Sequence, residues 1–345
     1  MHAEYKRQWL CEAMHGLIDP ALIDVTPAKI AWAWRRTITL HARWESDRWI
    51  CGFVARDNAS LVAVSCCPIF FHDGEERILN ELRRCVLLLP GVPSAALDFK
   101  LFRLSEGRFA LTIQGKLSCN DEIRQRFVHS LSRIASLDSV CWKTSSDRTY
   151  TPFEGSFELW GRRWHFSVDA FLQNHLEQSA IVWGDCLDIV HKAGPQQNIL
   201  DLYSGIGVTA ISLALRGHRV TAVEWSNAAV RMAQRTAHEI AWETASPPRF
   251  VCGSVEDFLP SAPREDAWWI VNPPRTGLSD AVVSQIIKKR PERIVYISCS
   301  APTMARDVKK LVKDDWVVNH VHGYDMFPQT THFETLVVLL RSKIS

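Results

Sequence analysis

The chain has 345 residues, of which 47% are hydrophobic and 23% charged, and a formal net charge of +2. That is the composition of a globular protein long enough for two domains. The charge is too small for a protein held to nucleic acid by its overall field, so any such contact rests on a local patch. The ten cysteines form no C-x-x-C pair, which leaves a zinc site unsupported, and no apolar run approaches the ~18 residues of a membrane span.

In chain order, the opening "MHAEYKRQWLCEAMHGLIDP" lacks the apolar centre of an export leader. A cytoplasmic protein with reduced thiols is expected. Residues 4–17 read as a helix. Residues 29–70 alternate in the manner of strands ("ITLHARW", "SLVAVSCCPIFF") and suggest a β-rich layer. Residues 74–90 read as a helix ending before "PGVPS", and 108–114 and 156–168 as further strands. Within 29–44, Lys29, Arg35, Arg36 and Arg43 lie among three tryptophans. Arginine with aromatics suits phosphate contact and base stacking, and a strand pair with core tryptophans and a solvated basic edge would look the same.

Near residue 170 the pattern changes. Helical stretches alternate with short apolar runs, "NILDLYS", "RVTAVEW", "RFVCGS", "AWWIVN" and "RIVYIS". This is the signature of a doubly wound parallel sheet. The expected division is an α+β domain over 1–164, its helix 4–17 free to pack on the second domain, and an α/β domain over 165–345.

In "NILDLYSGIGVTAISLAL" an apolar strand runs into Gly205 and Gly207, where glycine allows a tight turn and a close approach to a ligand. The next strand ends on Glu224, a carboxylate able to accept both hydroxyls of a ribose. The spacing fits a dinucleotide as well as S-adenosylmethionine. "AWWIVNPPRTGL" ends a strand on Asn272 and leaves it through two prolines as a rigid loop. "RIVYISCSAPTMARD" ends a strand on Cys299, and "GYDMFPQTTHFETLVVLL" sets Glu334, two residues past His332, ahead of the last strand. Glu224, Asn272, Cys299 and Glu334 are expected at successive strand ends facing one crevice.

Together "NPPRTG", "SCSAPTMARD" and "DMFPQTTHFE" resemble the DPPR-x-G, SCNPxTLARD and DMFPQTxHVE segments of the RNA uracil-C5 methyltransferases, in the same order. "FSVDAFLQN" is similar to the family segment that ends in a cofactor-binding glutamine, here Gln173. The resemblance is dense over 165–345 and thinner before it, where "YKRQW", "WRRTITLH" and "CGFVARD" carry it. It implies a class I methyltransferase (Rossmann-like) fold, S-adenosylmethionine as cofactor and a uridine in structured RNA, rRNA favoured over tRNA, as substrate of a monomer. It also implies Cys299 as the nucleophile and Glu334 as the base. Cofactor contacts would come from Gln173, Tyr203, Gly205, Gly207, Glu224, Ser254 and Asn272. Val208 stands where some relatives carry a polar cofactor contact, so a backbone contact is expected there, and Phe171 matches an aromatic beside the base pocket.

Three departures stand out. Asn272 replaces the family's Asp, "SCSAP" replaces its SCNP turn, and no β-barrel is expected ahead of "MHAEY". Some relatives hold a four-cysteine iron–sulfur cluster, of which only Cys67 (or Cys66) has a counterpart here. One thiolate cannot hold a cluster, so no metal is expected. Two other readings stay open at this point: an RNA-binding or RNA-folding protein with a decayed site, and an amino-group methyltransferase working through "NPPR".

Overall fold

A computed structural model of the chain describes residues 2–55, 57, 59–117, 119–143, 151–243, 245–262 and 268–342. The chain forms two compact units, Met1–Lys29 with Ser156–Ser345, and Ile30–Gly155. The first unit is therefore discontinuous, where a single cut after residue 164 was expected. Its N-terminal piece supplies helix α1 (His2–Ala13) and the short strand β1 (Asp24–Thr26). The helix stops four residues before the expected end, and a turn containing Gly16 in the left-handed region follows.

The second unit opens with β2 (Thr37–Glu45), β3 (Arg48–Val54) and β4 (Leu61–Val62), then α2 (Arg77–Val86). Strands β5 (Ala96–Ser105) and β6 (Arg108–Lys116), helix α3 (Asp121–Ser132) and strand β7 (Leu137–Lys143) complete it. The sheet order is β4-β3-β2-β5-β6-β7. All pairs are antiparallel except β6 with β7. Ile78, Leu79 and Leu82 of α2 and Phe127 and Leu131 of α3 enter one core with the inward residues of the strands. In the 29–44 stretch, Trp34 is buried and Trp44 packs edge-on to Trp49, ring centroids 5.8 Å apart. Arg35 Nε donates to Thr37 O at 2.7 Å, so part of the expected basic face serves its own sheet.

The first unit resumes with the hairpin β8 (Glu154–Leu159) and β9 (Arg162–Ser167), helix α4 (Leu176–His191), strand β10 (Asn198–Leu202) and helix α5 (Val208–Leu215). Next come β11 (Arg219–Glu224), α6 (Asn227–His238), β12 (Arg249–Cys252), α7 (Val255–Phe258) and β13 (Trp268–Val271). Last are α8 (Asp280–Lys289), β14 (Arg293–Ser298), α9 (Ala301–Val312), β15 (Trp316–Tyr324) and β16 (Glu334–Arg341). They build an eight-stranded sheet in the order β1-β15-β16-β14-β13-β10-β11-β12. Only β16 is antiparallel to its neighbours.

The central strands β10, β13, β14 and β16 are apolar on both faces because helices cover both. Leu200, Leu202, Trp269, Val271, Ile294 and Tyr296 face a core shared with α1, α8 and α9. The alternate residues Ile199, Trp268, Ile270, Val295 and Ile297 face one shared with α4 and α5. The strand order reverses between β10 and β13, and the crevice beyond the carboxyl ends there is where such sheets take ligands. This is a doubly wound α/β sheet with one antiparallel strand, β16, among its described strands.

Candidate active site

The crevice begins with the turn after β10. Gly205 and Gly207 have φ of +56° and +79°, and Tyr203 shares the left-handed region at +61°. A Cβ on Gly207 would lie 3.0 Å from Ala233 Cβ, so that glycine is required by packing and by conformation. A Cβ on Gly205 would meet open space, which is what a turn against a ligand needs. Glu224, at the end of β11, is buried. Its carboxylate accepts from Gly205 N at 3.0 Å and from Ser226 N at 2.8 Å, which leaves lone pairs on both oxygens for further donors. Exposed Trp225 follows it.

Those features fit the adenosyl part of S-adenosylmethionine: a bare backbone turn, a fixed ribose acceptor and a nearby aromatic ring. Ser254 caps α7, accepting from Asp257 N at 3.1 Å and donating to Asp257 Oδ2 at 2.7 Å, so its hydroxyl is engaged locally. Gln173 stands half-buried between β9 and α4, two residues past Phe171, whose ring is 70% exposed. Asp201, inside β10, was missed in the sequence. Burial, and secondarily the charge of Glu224, pushes its carboxyl up to about 8.

Asn272 follows β13, and its N–H donates to Leu202 O at 3.3 Å across the switch point. The loop it opens is fastened to α9. Buried Asp307 accepts from Leu278 N at 2.8 Å and from Tyr296 Oη at 2.9 Å. Arg306 Nη2 donates to Thr276 O at 2.9 Å, and Thr303 Oγ1 to Arg275 O at 3.2 Å. Gly277 (φ +79°) is fixed by the same fastening, since a Cβ there would lie 2.5 Å from Asp307 Oδ2.

Cys299, Arg275 and His332 line one cavity of about 980 Å3. Glu334 is 1% exposed and is the first residue of β16, not a residue ahead of it. It reaches the same end of the sheet because β16 runs antiparallel, with Thr335 beside Ser298 of β14. Burial pushes its carboxyl up to about 8 against the opposing charge of Arg275, and its Oε2 has no hydrogen-bond partner among the described residues. The Cys299 thiol is raised by burial and then by the Glu334 charge, while Arg275 opposes both through its charge and a hydrogen bond. Thiol, carboxyl and guanidinium thus sense one another.

The segment carrying Glu334 is anchored at its start by Lys6. This buried ammonium is bonded to Asp325 and donates to Phe327 O at 3.1 Å. Burial lowers the Lys6 pKa, and Asp325 works against that shift. Arg275, Asp307 and Lys6 were not singled out in the sequence, although all three lie inside quoted motifs.

The tRNA (Uracil-5-)-methyltransferase family matches residues 267–342, and the methyltransferase small domain matches 170–295. An uncharacterized RNA methyltransferase of Protochlamydia amoebophila is 31% identical over 330 residues, covering 94% of this chain and 74% of that protein. A 23S rRNA (uracil(1939)-C(5))-methyltransferase of Dichelobacter nodosus is 28% identical, with 98% and 78% covered. The crystal structure of Pyrococcus abyssi tRNA (uracil-54, C5)-methyltransferase, in complex with S-adenosyl-L-homocysteine, superposes with a TM-score of 0.70 at 22% identity. It covers 98% of this chain and 83% of that one.

Proposed function

We propose that this chain, which belongs to the RNA uracil-C5 methyltransferase family, methylates C5 of a uridine in structured RNA through a covalent bond from Cys299 to C6 of the base. The relatives named for 23S rRNA support rRNA as the substrate. S-adenosylmethionine supplies the methyl group as a sulfonium electrophile, and the Tyr203–Gly207 turn and Glu224 are the residues that would hold it.

C5 of uracil is too poor a nucleophile to react unaided. Cys299 must lose its proton to solvent, a step that Arg275 favours against burial and the Glu334 charge; the thiolate then adds to C6 and pushes electrons towards the C4 carbonyl. C5 becomes the nucleophilic end of an enolate and would take the methyl group as the methyl–sulfur bond breaks, its electron pair returning to sulfur to leave a neutral thioether. It then carries both a methyl and a hydrogen. Glu334 removes that proton, the electron pair re-forms the C5–C6 double bond, and the C6–sulfur bond breaks. The base must be anionic for this, and a carboxyl pushed up to about 8 is strong enough as a base while still partly ionised near neutrality.

The observation that supports this reading best is the meeting of Cys299, Arg275 and Glu334, with the thiol on a cavity wall. A decayed site would have no need to keep a buried carboxyl at the strand end that carries the thiol. RNA containing 5-fluorouridine at the target tests it, because fluorine cannot leave as a proton does. Wild type is expected to form an SDS-stable adduct that Cys299→Ala abolishes. An adduct that persists in Cys299→Ala, with methylation intact, overturns the assignment.

A further inference from the structure

The cavity that holds Cys299 continues past the thiol between α1 and α9. Residues Arg306, Lys309, Lys310 and Lys313 of the α9 segment line it. Their spacing of three and four residues puts them on one helical face. Trp9 of α1 lies on the opposite wall. Arg306 is committed to Asp307 and Lys310 to Asp280. Lys309 and Lys313 are exposed, and among the described residues neither has a carboxylate partner. On the apolar side, Tyr5 and Trp9 are 48% and 43% exposed, with ring centroids 5.6 Å apart. The other face of that helix buries Leu10 in the core. Trp9, a large ring left partly in water, thus lines one cavity with Lys309, Lys313 and the Cys299 thiol, and that is more than packing requires.

We propose that the groove between α1 and α9 is the track of the unpaired RNA strand next to the target uridine, with phosphates on Lys309 and Lys313 and a base stacked on Trp9. This rests on the reaction read above. A uridine reaching Cys299 has left its stack, so its neighbours arrive single-stranded. Single strands are held by cations along the backbone and aromatic faces for the bases, which every base satisfies. From Arg306 to Lys313 the helix rises about 10 Å, enough to follow more than one phosphate. The volume of about 980 Å3 sits at the top of the ~300–1,000 Å3 range of small-molecule pockets, consistent with more than one nucleotide. Glu12 is the acidic side chain on the same lining and sets one end of the track by repulsion.

The test uses the full chain and a fluorescein-labelled oligouridylate, with a blunt RNA duplex and polyglutamate of equal charge as comparisons. Affinity is measured against salt. Wild type should prefer oligouridylate to both. Lys309→Ala with Lys313→Ala should flatten the salt slope by about 1.4, at ~0.7 per phosphate contact on a single strand. Trp9→Ala should weaken binding on the order of 5-fold or more without changing the slope, and Trp9→Phe should restore most of it. Unchanged S-adenosylmethionine binding by calorimetry certifies that each variant is folded.

Equal binding of the duplex, equal binding of polyglutamate, or an unchanged slope in the lysine variant overturns the track. The fluorouridine adduct separates the two readings. If wild type forms the adduct while these variants bind oligouridylate normally, the reaction stands and the strand runs elsewhere. If oligouridylate responds as expected and no adduct forms, the reaction fails and the groove remains.

Discussion

Glu334→Gln changes one oxygen to an amide and keeps the shape, so it isolates the buried charge. The carboxyl is held at about 8 in the folded chain against an ordinary 4.5. Below pH 4.5 it is protonated whether the chain is folded or not, and contributes no pH dependence. Between 4.5 and 8 the unfolded chain releases the proton while the folded one keeps it, so stability falls as pH rises, and above 8 the loss levels off. At ~1.36 kcal/mol per pH unit the full penalty is about 5 kcal/mol, of which about 3 kcal/mol is present at pH 7. Glutamine carries none of it. Asp201, also held at about 8, remains in both proteins and cancels in the comparison. Urea unfolding of wild type and Glu334→Gln from pH 5 to 9 should therefore give stability curves that diverge with rising pH, the variant becoming the more stable. Activity moves the other way. Wild-type turnover should climb with pH towards about 8, while the variant accumulates a covalent protein–RNA species on ordinary RNA, since addition survives and elimination does not. Parallel stability curves would refute the burial argument, and wild-type turnover by the variant would move the base to another residue.

Three further outcomes follow from the same geometry. Glu224→Ala should weaken S-adenosylmethionine binding ~10-fold or more in a calorimeter, because it removes charge-assisted hydrogen bonds and also unpairs Gly205 N and Ser226 N; NAD should not compete. Asn272→Asp should be tolerated or faster in single-turnover methyl transfer, by up to roughly 5- to 30-fold, if restoring a charged acceptor returns ~1–2 kcal/mol. Gly277→Ala should lower thermal stability by about 1–2 kcal/mol from the left-handed backbone alone, more if buried Asp307 must shift, and should slow adduct formation by moving the loop that carries Arg275.

The centre of the first unit was legible because its signals are local: the apolar runs of β10, β13 and β14 are strands buried on both faces, and Asn272 and Cys299 follow directly on β13 and β14, whereas β12 is only half-buried and β1 and β15 went unread. Glu334 shows the limit. That it stands at the start of the last strand was readable, but that this start lies at the end of the sheet that carries Cys299 follows only from β16 being antiparallel, which no residue of the strand encodes. Lys6 and Asp325 were invisible for another reason: they are 319 residues apart, and nothing in "YKRQW" marks its lysine as buried. In the second unit β5, α3 and β7 went unread. Strand β5 interleaves Asp98, Lys100 and Arg103 with its apolar residues, and Arg103 is itself buried, paired with Glu75 and stacked over Phe70. The tryptophans of 29–44 point to nucleic acid by composition, yet Trp34 is buried and Trp44 packs on Trp49 and the core beneath it, because an indole is first a large apolar surface; Trp32 alone of the three is exposed.

The two departures from the family pattern that weigh against activity, Asn272 and the serine of "SCSAP", bear on different things from the ones their positions suggest. Around the thiol, Ser300 takes part through its backbone: its N–H donates to Ser298 Oγ at 3.1 Å and its carbonyl accepts from Thr303 Oγ1 at 3.1 Å. It begins α9 with no side-chain cap, so the family's asparagine is replaced at a residue whose side chain the turn does not use. Asn272 is likewise tied to β10 through its backbone N–H. The loop beyond it is held by Thr303, Arg306 and Asp307, all of which the chain keeps in "PTMARD". The segments around Asn272 and Cys299 are therefore one mechanical piece, with α9 as the part that sets the distance between them. A substitution that spares those fastenings changes the charge offered to a bound base and leaves the thiol, the guanidinium and the buried carboxyl where they were. That is the argument for a working enzyme with an uncharged residue in its pocket over a scaffold that has lost its reaction.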